Sequence, residues 1–265
     1  MSPHLSIVID NAATALCAEL SGIVRGEEVL PFDETYARIE YAQNHCLRQL
    51  AATDLWGRDN QIPSGEFWKK AGWVVGCGPL QRHAREKPRG YAGDFEMLER
   101  ISAQTLSPGV VLGAFDQFFQ SQAAPRAVRN RNVLIADKIV HAVRQHAAKR
   151  PIKIVSVGSG PAVDVRRAVA ELAESELQRL NVVLLDIDPH ALEFAKVQLE
   201  ERIRSGGLAT HRVNLFRIPR QRHVAQLLEG ADMIICAGIL DYLNQQDATA
   251  LLAAKIGRAS CRERV

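Results

Sequence analysis

The sequence predicts an α/β fold, in which a parallel sheet follows a helical N-terminal domain. Up to about Arg150 the apolar residues recur at helical spacing. From Pro151 onward, short apolar runs alternate with amphipathic stretches, which is typical of βαβ units. Units of this kind build a parallel sheet through right-handed crossovers, with helices over both faces. We therefore expect a helical domain over 1–150 and a sheet domain from 151.

The composition is that of an ordinary globular protein. The 265 residues are 47% apolar and 24% charged, which provides material for a core and argues against disordered, collagenous and coiled-coil classes. No stretch approaches the roughly 20 apolar residues of a membrane span. The N-terminus has neither the basic leader nor the long apolar segment of a signal peptide. We expect a cytoplasmic protein without a membrane span, whose scattered cysteines stay reduced.

The last ten residues, 256–265, resemble the translation of a common short-read sequencing adapter. They hold three arginines and one glutamate, so without them the net charge falls from +3 to +1. A charge so near zero, with no evident basic stripe, disfavours nucleic acid as a partner. We expect this tail to be foreign, the sheet domain to occupy 151–255, and the chain to be a truncation.

Helix signals follow one another through the first 150 residues. Asp33 is a candidate N-cap for a helix that runs to about residue 55. Asp94 precedes a second periodic stretch, and Pro125 suits the first turn of a long amphipathic helix. Clusters of glycine, proline and polar residues separate the helices at 57–65, 76–79 and 107–109.

Four strands are predicted in the sheet domain. Each is a short apolar run bounded by turn residues, and these runs are 152–157, 181–185, 211–216 and 231–236. The helical stretches that follow them are 163–180, 190–203, 224–228 and 244–254. Because the strands are parallel, the residues that follow them meet at one edge of the sheet, where open α/β sheets bind their ligands.

A glycine turn joins the first predicted strand to the next helix. In Gly158-Ser159-Gly160 two of the three positions lack a Cβ, so the backbone can approach a ligand closely. Asp186 ends the second strand at the same edge, where its carboxylate can accept both hydroxyls of a ribose. The pair predicts an adenosine-type ligand. The alternative is a tight turn with Asp186 as a helix cap.

Two classes of cofactor contain such a nucleoside. A dinucleotide places its pyrophosphate on the helix N-terminus and usually has a third glycine in the turn. Here the third position is Val163, and Asp164 would bring negative charge to the phosphates. S-adenosylmethionine has no phosphate and carries a cationic sulfonium, so it tolerates acidic surroundings. The residues favour S-adenosylmethionine, and an NAD-dependent oxidoreductase remains the alternative.

Segments around these residues resemble class I S-adenosylmethionine-dependent methyltransferases, namely 154–160 (IVSVGSG), 185–189 (LDIDP) and 231–243 (ADMIICAGILDYL). A narrower resemblance, to bacterial enzymes named for biosynthesis of the extracellular factor 3-hydroxypalmitic acid methyl ester, a quorum signal, rests on 87–94 (KPRGYAGD), 129–131 (RNR) and 237–242 (AGILDY). It covers roughly 80–254. It implies a Rossmann-like sheet and a small-molecule methyltransferase, whose acceptor is the carboxylate of a hydroxy fatty acid.

The resemblance also implies roles for individual residues. The glycine turn lines the methionine end of the cofactor, and Asp186 holds the ribose. Asp188 and the backbone after it lie near the adenine, and Ile187 between the two aspartates also belongs to the cofactor site. Asn214 is the nearest candidate for the side chain that binds the adenine amine. Class I sheets have seven strands, so this chain of four is expected to be compromised as an enzyme. A sensor that binds the nucleoside without turnover is a further alternative.

The segment 89–94 is the most unusual part of the helical domain, because two glycines flank an aromatic residue between charged ends. We expect this loop to close over the cofactor, with Tyr91 near the transferred methyl group. Arg89 or Arg129 would bind a carboxylate of the acceptor or cofactor. The alternative is that Asp94 caps a helix and the arginines are solvated. Since the histidines are dispersed, no metal site is expected.

Overall fold

The computed structural model describes residues 2–55, 57–146, 150–214 and 226–249, and the chain divides into two compact units between Arg126 and Ala127. The predicted boundary at 150 lies further along the chain. The difference arises because residues 135–143 of the last helix before the sheet pack on the sheet core. The adapter-like tail and the predicted strand residues 215 and 216 lie outside the described residues.

The first unit is helical, as predicted. Its helices are α1 (Pro3–Arg25), α2 (Phe32–Ala51), α3 (Gln61–Val75), α4 (Pro79–Glu86), α5 (Phe95–Ser102) and α6 (Val110–Ser121). One apolar core joins α1, α2, α3 and α6, with the fully buried rings of Phe115 and Phe118 among its members. The predicted N-cap Asp33 instead lies in the first turn of α2, because Pro31 is the residue that precedes the helix.

Helix α1 corrects one expectation from the sequence. Among the described residues it is the one helix long and apolar enough to cross a bilayer by length and composition alone. Its apolar stripe packs against α2 and α3, where Leu16, Leu20 and Ile23 are buried. Ser2 caps its first turn by accepting a 3.3 Å hydrogen bond from the N–H of Leu5. These buried residues belong to the apolar core of the helical unit.

The second unit contains a four-stranded parallel sheet, which confirms the predicted α/β, Rossmann-like fold. The strands are β1 (Ile152–Val157), β2 (Leu180–Asp186), β3 (Leu208–Arg212) and β4 (Met233–Ile235), in the spatial order β3-β2-β1-β4. β1 has its predicted bounds. β3 begins three residues before the predicted start, because its half-buried, polar sequence lacks the apolar run on which the prediction relied.

Helices pack against the sheet. They are α7 (Ala123–Gln145), α8 (Val163–Glu171), α9 (Glu174–Leu177) and α10 (Pro189–Leu199). Residues from α7, α8 and α10 pack on the face that contains Ile154 and Leu184. On the other face, Val155 and Leu185 pack with residues that follow β3 and β4. The predicted helix 163–180 is interrupted between α8 and α9.

Strand order places the glycine turn at the centre of the carboxyl edge. β1 lies between β2 and β4, so the turn after β1 has the end of β2 on one side and the end of β4 on the other. β2 and β4 lie on opposite sides of β1 and are reached by crossovers in opposite directions. Such a switch point opens a crevice at which doubly wound sheets bind ligands.

Candidate functional site

The glycine turn is fastened to the end of β2. The N–H of Gly158 donates a 2.8 Å hydrogen bond to the carbonyl oxygen of Leu185. The N–H of Gly160 donates to Oδ2 of Asp186 at 2.7 Å. Both glycines have positive φ, at 68° and 50°, a region that side chains rarely tolerate. The two residue types that predicted a nucleoside site are therefore in direct contact.

Asp186 is buried and holds two segments of backbone. Its Oδ1 accepts a 2.9 Å hydrogen bond from the N–H of Asp188, while Oδ2 accepts from Gly160. Burial raises the pKa of Asp186, and the N–H groups of Asp188, Gly160 and Ile187 oppose that rise. Each carboxylate oxygen has a further lone pair, so Asp186 can still accept the hydroxyls of a ribose.

The helix cap in this region is Asp188 rather than Asp186. Asp188 precedes α10, and its Oδ1 accepts a 2.9 Å hydrogen bond from the N–H of His190. The alternative in which Asp186 caps a helix is therefore wrong. Asp188 is buried like Asp186, so the loop between them has a fixed backbone on both sides of Ile187.

Strand β3 brings a second segment to this loop. The N–H of Val213 donates a 2.7 Å hydrogen bond to the carbonyl oxygen of Asp186, and Nε of Arg212 donates to the carbonyl oxygen of Ile187 at 3.2 Å. Asn214 therefore follows Val213, whose N–H is hydrogen-bonded to the carbonyl oxygen of Asp186. The Ile187 side chain is 44% exposed, which leaves an apolar surface on the loop predicted to lie near an adenine.

Asp164 occupies the start of α8. Its carboxylate accepts a 2.8 Å hydrogen bond from the N–H of Val165, one of the donors that a phosphate on a helix N-terminus would use. Burial raises the pKa of Asp164, and the positive charge of Arg131 opposes that rise. The side chain of Asp164 thus already accepts a hydrogen bond at the N-terminus of α8, where a phosphate would otherwise bind.

Arg131 belongs to the segment 129–131 (RNR), but the sequence alone predicts no role for it. It comes from α7 and lies against Gly238, where a Cβ would come within 2.8 Å of its Nη1 atom. Gly238 follows β4 at the carboxyl edge and has a φ of 75°. The predicted Arg129 is two residues earlier on the same helix, so its side chain leaves in a direction about 200° away. Its role stays a prediction.

Two polar atoms near the turn have no hydrogen-bond partner within the described part of the chain. They are Oγ of Ser159 and Nε of Arg131, and both are shielded from solvent. Buried polar atoms are normally satisfied. Ser159 lies in the glycine turn, and Arg131 lies against Gly238, which follows β4 at the same edge of the sheet.

The loop 89–94 belongs to the first unit, and the structure describes its local contacts. Nη1 of Arg89 donates a 3.0 Å hydrogen bond to Glu96, and its guanidinium lies 4.6 Å from the centre of the Phe95 ring. Asp94 caps α5 by accepting from the N–H of Met97 at 3.0 Å. The capping role considered for Asp94 is confirmed. Tyr91 is half-buried in this loop.

The fold also brings together three side chains that can bind a metal, where the sequence indicated none. His83, Asp94 and Glu96 have donor atoms within 4.8 Å of one another. Nε2 of His83 lies 2.6 Å from Oδ2 of Asp94, while Glu96 is paired with Arg89. These internal contacts account for the arrangement without an ion.

No protein-family model and no curated relative matches the sequence. Solved structures are similar over nearly the whole chain. One is "a possible exported protein" from Bordetella parapertussis, with a TM-score of 0.50 and 16% identity over 96% of this chain and 69% of that chain. Its likeness agrees with the α/β architecture.

Two further structures are methyltransferases by description. The CurJ carbon methyltransferase has a TM-score of 0.47 and 11% identity over 97% of this chain and 69% of that chain. The S-adenosylmethionine-dependent methyltransferase SibL, in its apo form, has a TM-score of 0.36 and 16% identity over 96% and 74%.

Proposed function

We propose that the second unit binds S-adenosylmethionine and that the protein transfers its methyl group to a small molecule. One observation carries this proposal. Across the glycine turn, a carboxylate, Asp186, lies on the β2 side, and a guanidinium, Arg131, lies on the β4 side. S-adenosylmethionine presents ribose hydroxyls at one end and an amino-acid carboxylate at the other, which matches these two groups in chemistry.

The residues of the turn fit the same molecule. Two glycines leave the backbone open to close approach, and the unpartnered Oγ of Ser159 can accept or donate one hydrogen bond. The exposed side chain of Ile187 offers an apolar contact to a purine ring. Asn214 would supply the amide contact to the adenine amine, as the resemblance implies.

A dinucleotide fits less well. Its pyrophosphate would need the N–H groups at the start of α8, and Asp164 already accepts from Val165 there. The third position of the turn is Val163, where close packing usually requires glycine. These two features support S-adenosylmethionine over NAD.

We further propose that the acceptor is the carboxylate of a hydroxy fatty acid, on the strength of the resemblance of 87–94 and 237–242. When bound, S-adenosylmethionine supplies an activated methyl group for in-line displacement. A carboxylate is nucleophilic at neutral pH and needs no general base. The protein's task is then to position the acceptor and exclude water. Arg89 and Tyr91 are the residues we assign to that positioning.

The test supplies S-adenosylmethionine with a labelled methyl group and 3-hydroxy fatty acids of several chain lengths. We expect a labelled methyl ester and S-adenosylhomocysteine in equal amounts, formed more slowly by this chain than by a full-length homologue. The Arg89→Ala and Tyr91→Phe variants should lose turnover while still binding S-adenosylhomocysteine through the second unit. Cofactor binding without transfer to any acceptor, by this chain and by a full-length homologue alike, would contradict the enzymatic proposal and support the sensor alternative.

A further inference from the structure

The segment 87–94, which joins α4 to α5, has a strained backbone. Lys87, Gly90 and Gly93 all have positive φ, at 48°, 84° and 66°. Glycine adopts this region readily, but Lys87 has a Cβ, for which the region is unfavourable. A strained conformation persists only where the surrounding structure determines it. We therefore looked for the constraint at the two ends of the segment.

One hydrogen bond joins the two helices across this segment. Nε2 of His83, in the last turn of α4, lies 2.6 Å from Oδ2 of Asp94, which precedes α5. The other oxygen, Oδ1, accepts a 3.0 Å hydrogen bond from the N–H of Met97 and caps α5. The Asp94 side chain is 1% exposed and the His83 side chain 15%, so water competes little for this contact. A single carboxylate thus bonds to the end of α4 and to the start of α5.

A second carboxylate holds the same two helices at another point. Asp116 on α6 is fully buried. Its Oδ1 accepts a 3.0 Å hydrogen bond from the N–H of Leu80 in α4, and its Oδ2 accepts one from Nη2 of Arg100 in α5 at 2.9 Å. Because α4 and α5 are both bonded to α6, the contact between His83 and Asp94 joins two points that are already fixed. Both ends of the segment 87–94 are therefore held in place.

The segment carries Arg89, to which we assign acceptor positioning. The Arg89 guanidinium bonds to Glu96 and lies over the ring of Phe95, both in the first turn of α5. The N–H of Gly90 donates a 2.7 Å hydrogen bond to the carbonyl oxygen of Lys87, which closes a turn around Arg89. Recognition of a carboxylate by a guanidinium depends on the direction of its N–H groups, so the conformation of the segment matters for the acceptor.

We propose that His83 is a positioning residue for the acceptor, because its bond to Asp94 holds the segment 87–94 in the conformation that presents Arg89 to the acceptor's carboxylate. This inference rests on the proposed function, and it gives His83 no contact with the reacting atoms. Without His83, the buried Oδ2 of Asp94 loses its donor, and the strained segment relaxes into other conformations. The acceptor then binds more weakly, while the cofactor site in the second unit is unaffected.

The test compares His83→Leu, which removes the donor, with His83→Gln, whose amide places an N–H donor close to the position of Nε2. With a 3-hydroxy fatty acid as acceptor, His83→Leu should raise the KM for the acid about tenfold at nearly constant kcat, because only acceptor binding is lost. His83→Gln should keep the wild-type KM. His45→Leu, at an exposed histidine of α2, is the matched control. All variants should bind S-adenosylhomocysteine like the wild type.

A second route removes the same bond from the other side. Asp94→Ser keeps an N-cap for α5, but its single, shorter side-chain oxygen cannot also reach His83. It should raise the KM as His83→Leu does, and the double variant should be no worse than either single variant, since both remove one bond. Amide hydrogen exchange in the segment 87–94 should quicken in all three but not in His83→Gln. This measurement does not depend on methyl transfer.

The outcomes separate this inference from the proposed function. If the wild-type protein forms ester and the KM is unchanged in both His83→Leu and Asp94→Ser, the positioning role is wrong and the proposed function stands. A lower kcat at constant KM would show a smaller folded fraction, and would limit His83 to a structural role. Absence of ester from the wild-type protein and from a full-length homologue would refute the proposed function and this role with it.

Discussion

The backbone N–H of Gly160 donates a 2.7 Å hydrogen bond to Oδ2 of Asp186. This bond joins the turn after β1 to the residue that ends β2, and Oδ1 of the same carboxylate holds the N–H of Asp188. Asp186 therefore shapes the backbone on both sides of the proposed nucleoside site, in addition to its proposed contact with the ribose. Its loss should disturb both the loop and the ligand contact.

The Asp186→Asn variant should bind S-adenosylhomocysteine at least about tenfold more weakly than the wild type. An amide has one acceptor oxygen, so either Gly160 or Asp188 would face an NH2 group and lose its acceptor. Asp137→Asn, which neutralises an exposed aspartate on α7, is the matched control and should leave the affinity unchanged. Equal affinities of the two variants in calorimetry would be inconsistent with the role of Asp186.

The pH dependence of this site should have opposite signs for stability and for binding. Because burial raises the folded-state pKa of Asp186 above 3.8, its contribution to stability is fully present below pH 3.8 and is lost as the pH rises through the folded-state pKa. Ligand affinity should rise over the same window, because the ribose needs the ionised carboxylate. Measuring unfolding and binding of wild type and Asp186→Asn against pH isolates this contribution, and parallel curves for the two proteins would argue against it.

Arg131 should distinguish ligands by their carboxylate. The Arg131→Met variant should bind S-adenosylhomocysteine about tenfold or more weakly, since a charge-assisted hydrogen bond is lost. Its affinity for 5′-methylthioadenosine, which lacks the amino-acid carboxylate, should be unchanged. Arg167→Met, at an exposed position of α8, is the control. An equal loss of affinity for both ligands would show that Arg131 acts on the fold and not on the carboxylate.

Gly238 should matter for ligand binding beyond its backbone strain. Gly238→Ala and Gly230→Ala both place a Cβ at positive φ, at 75° and 67°, and each should cost about 1 kcal/mol of stability. A Cβ at Gly238 would also press on Nη1 of Arg131, whereas nothing lies within 4 Å of the corresponding position at Gly230. Only Gly238→Ala should weaken S-adenosylhomocysteine binding, and thermal unfolding with calorimetry separates the two effects.

Local sequence predicted the centre of the sheet well. β1 and the end of β2 are apolar runs that are buried in the sheet, and glycine or aspartate comes next. This pattern therefore predicts the two strands and also the position of Asp186 at the sheet edge. β3 is an edge strand with half-buried polar side chains. Its hydrophobic pattern is weak, so the sequence alone does not show where the strand begins. Contacts with the neighbouring strand determine that position.

Residues distant in sequence from the glycine turn could not be predicted in the same way. Arg131 lies on α7, before the first strand, and it reaches Gly238 at the carboxyl edge only because α7 packs on the sheet. The interior of the helical unit is similar, since Gln43 and Gln81 meet through helix packing that no local spacing encodes. The helical class of this unit followed from periodicity, but these contacts did not.

The most direct test of the central claim is competitive calorimetry with S-adenosylhomocysteine and NAD⁺ on the 265-residue chain. We predict one S-adenosylhomocysteine bound per chain, an affinity reduced by Asp186→Asn, and no displacement by NAD⁺. Binding of NAD⁺ at this site with an affinity equal to or greater than that of S-adenosylhomocysteine would contradict the account.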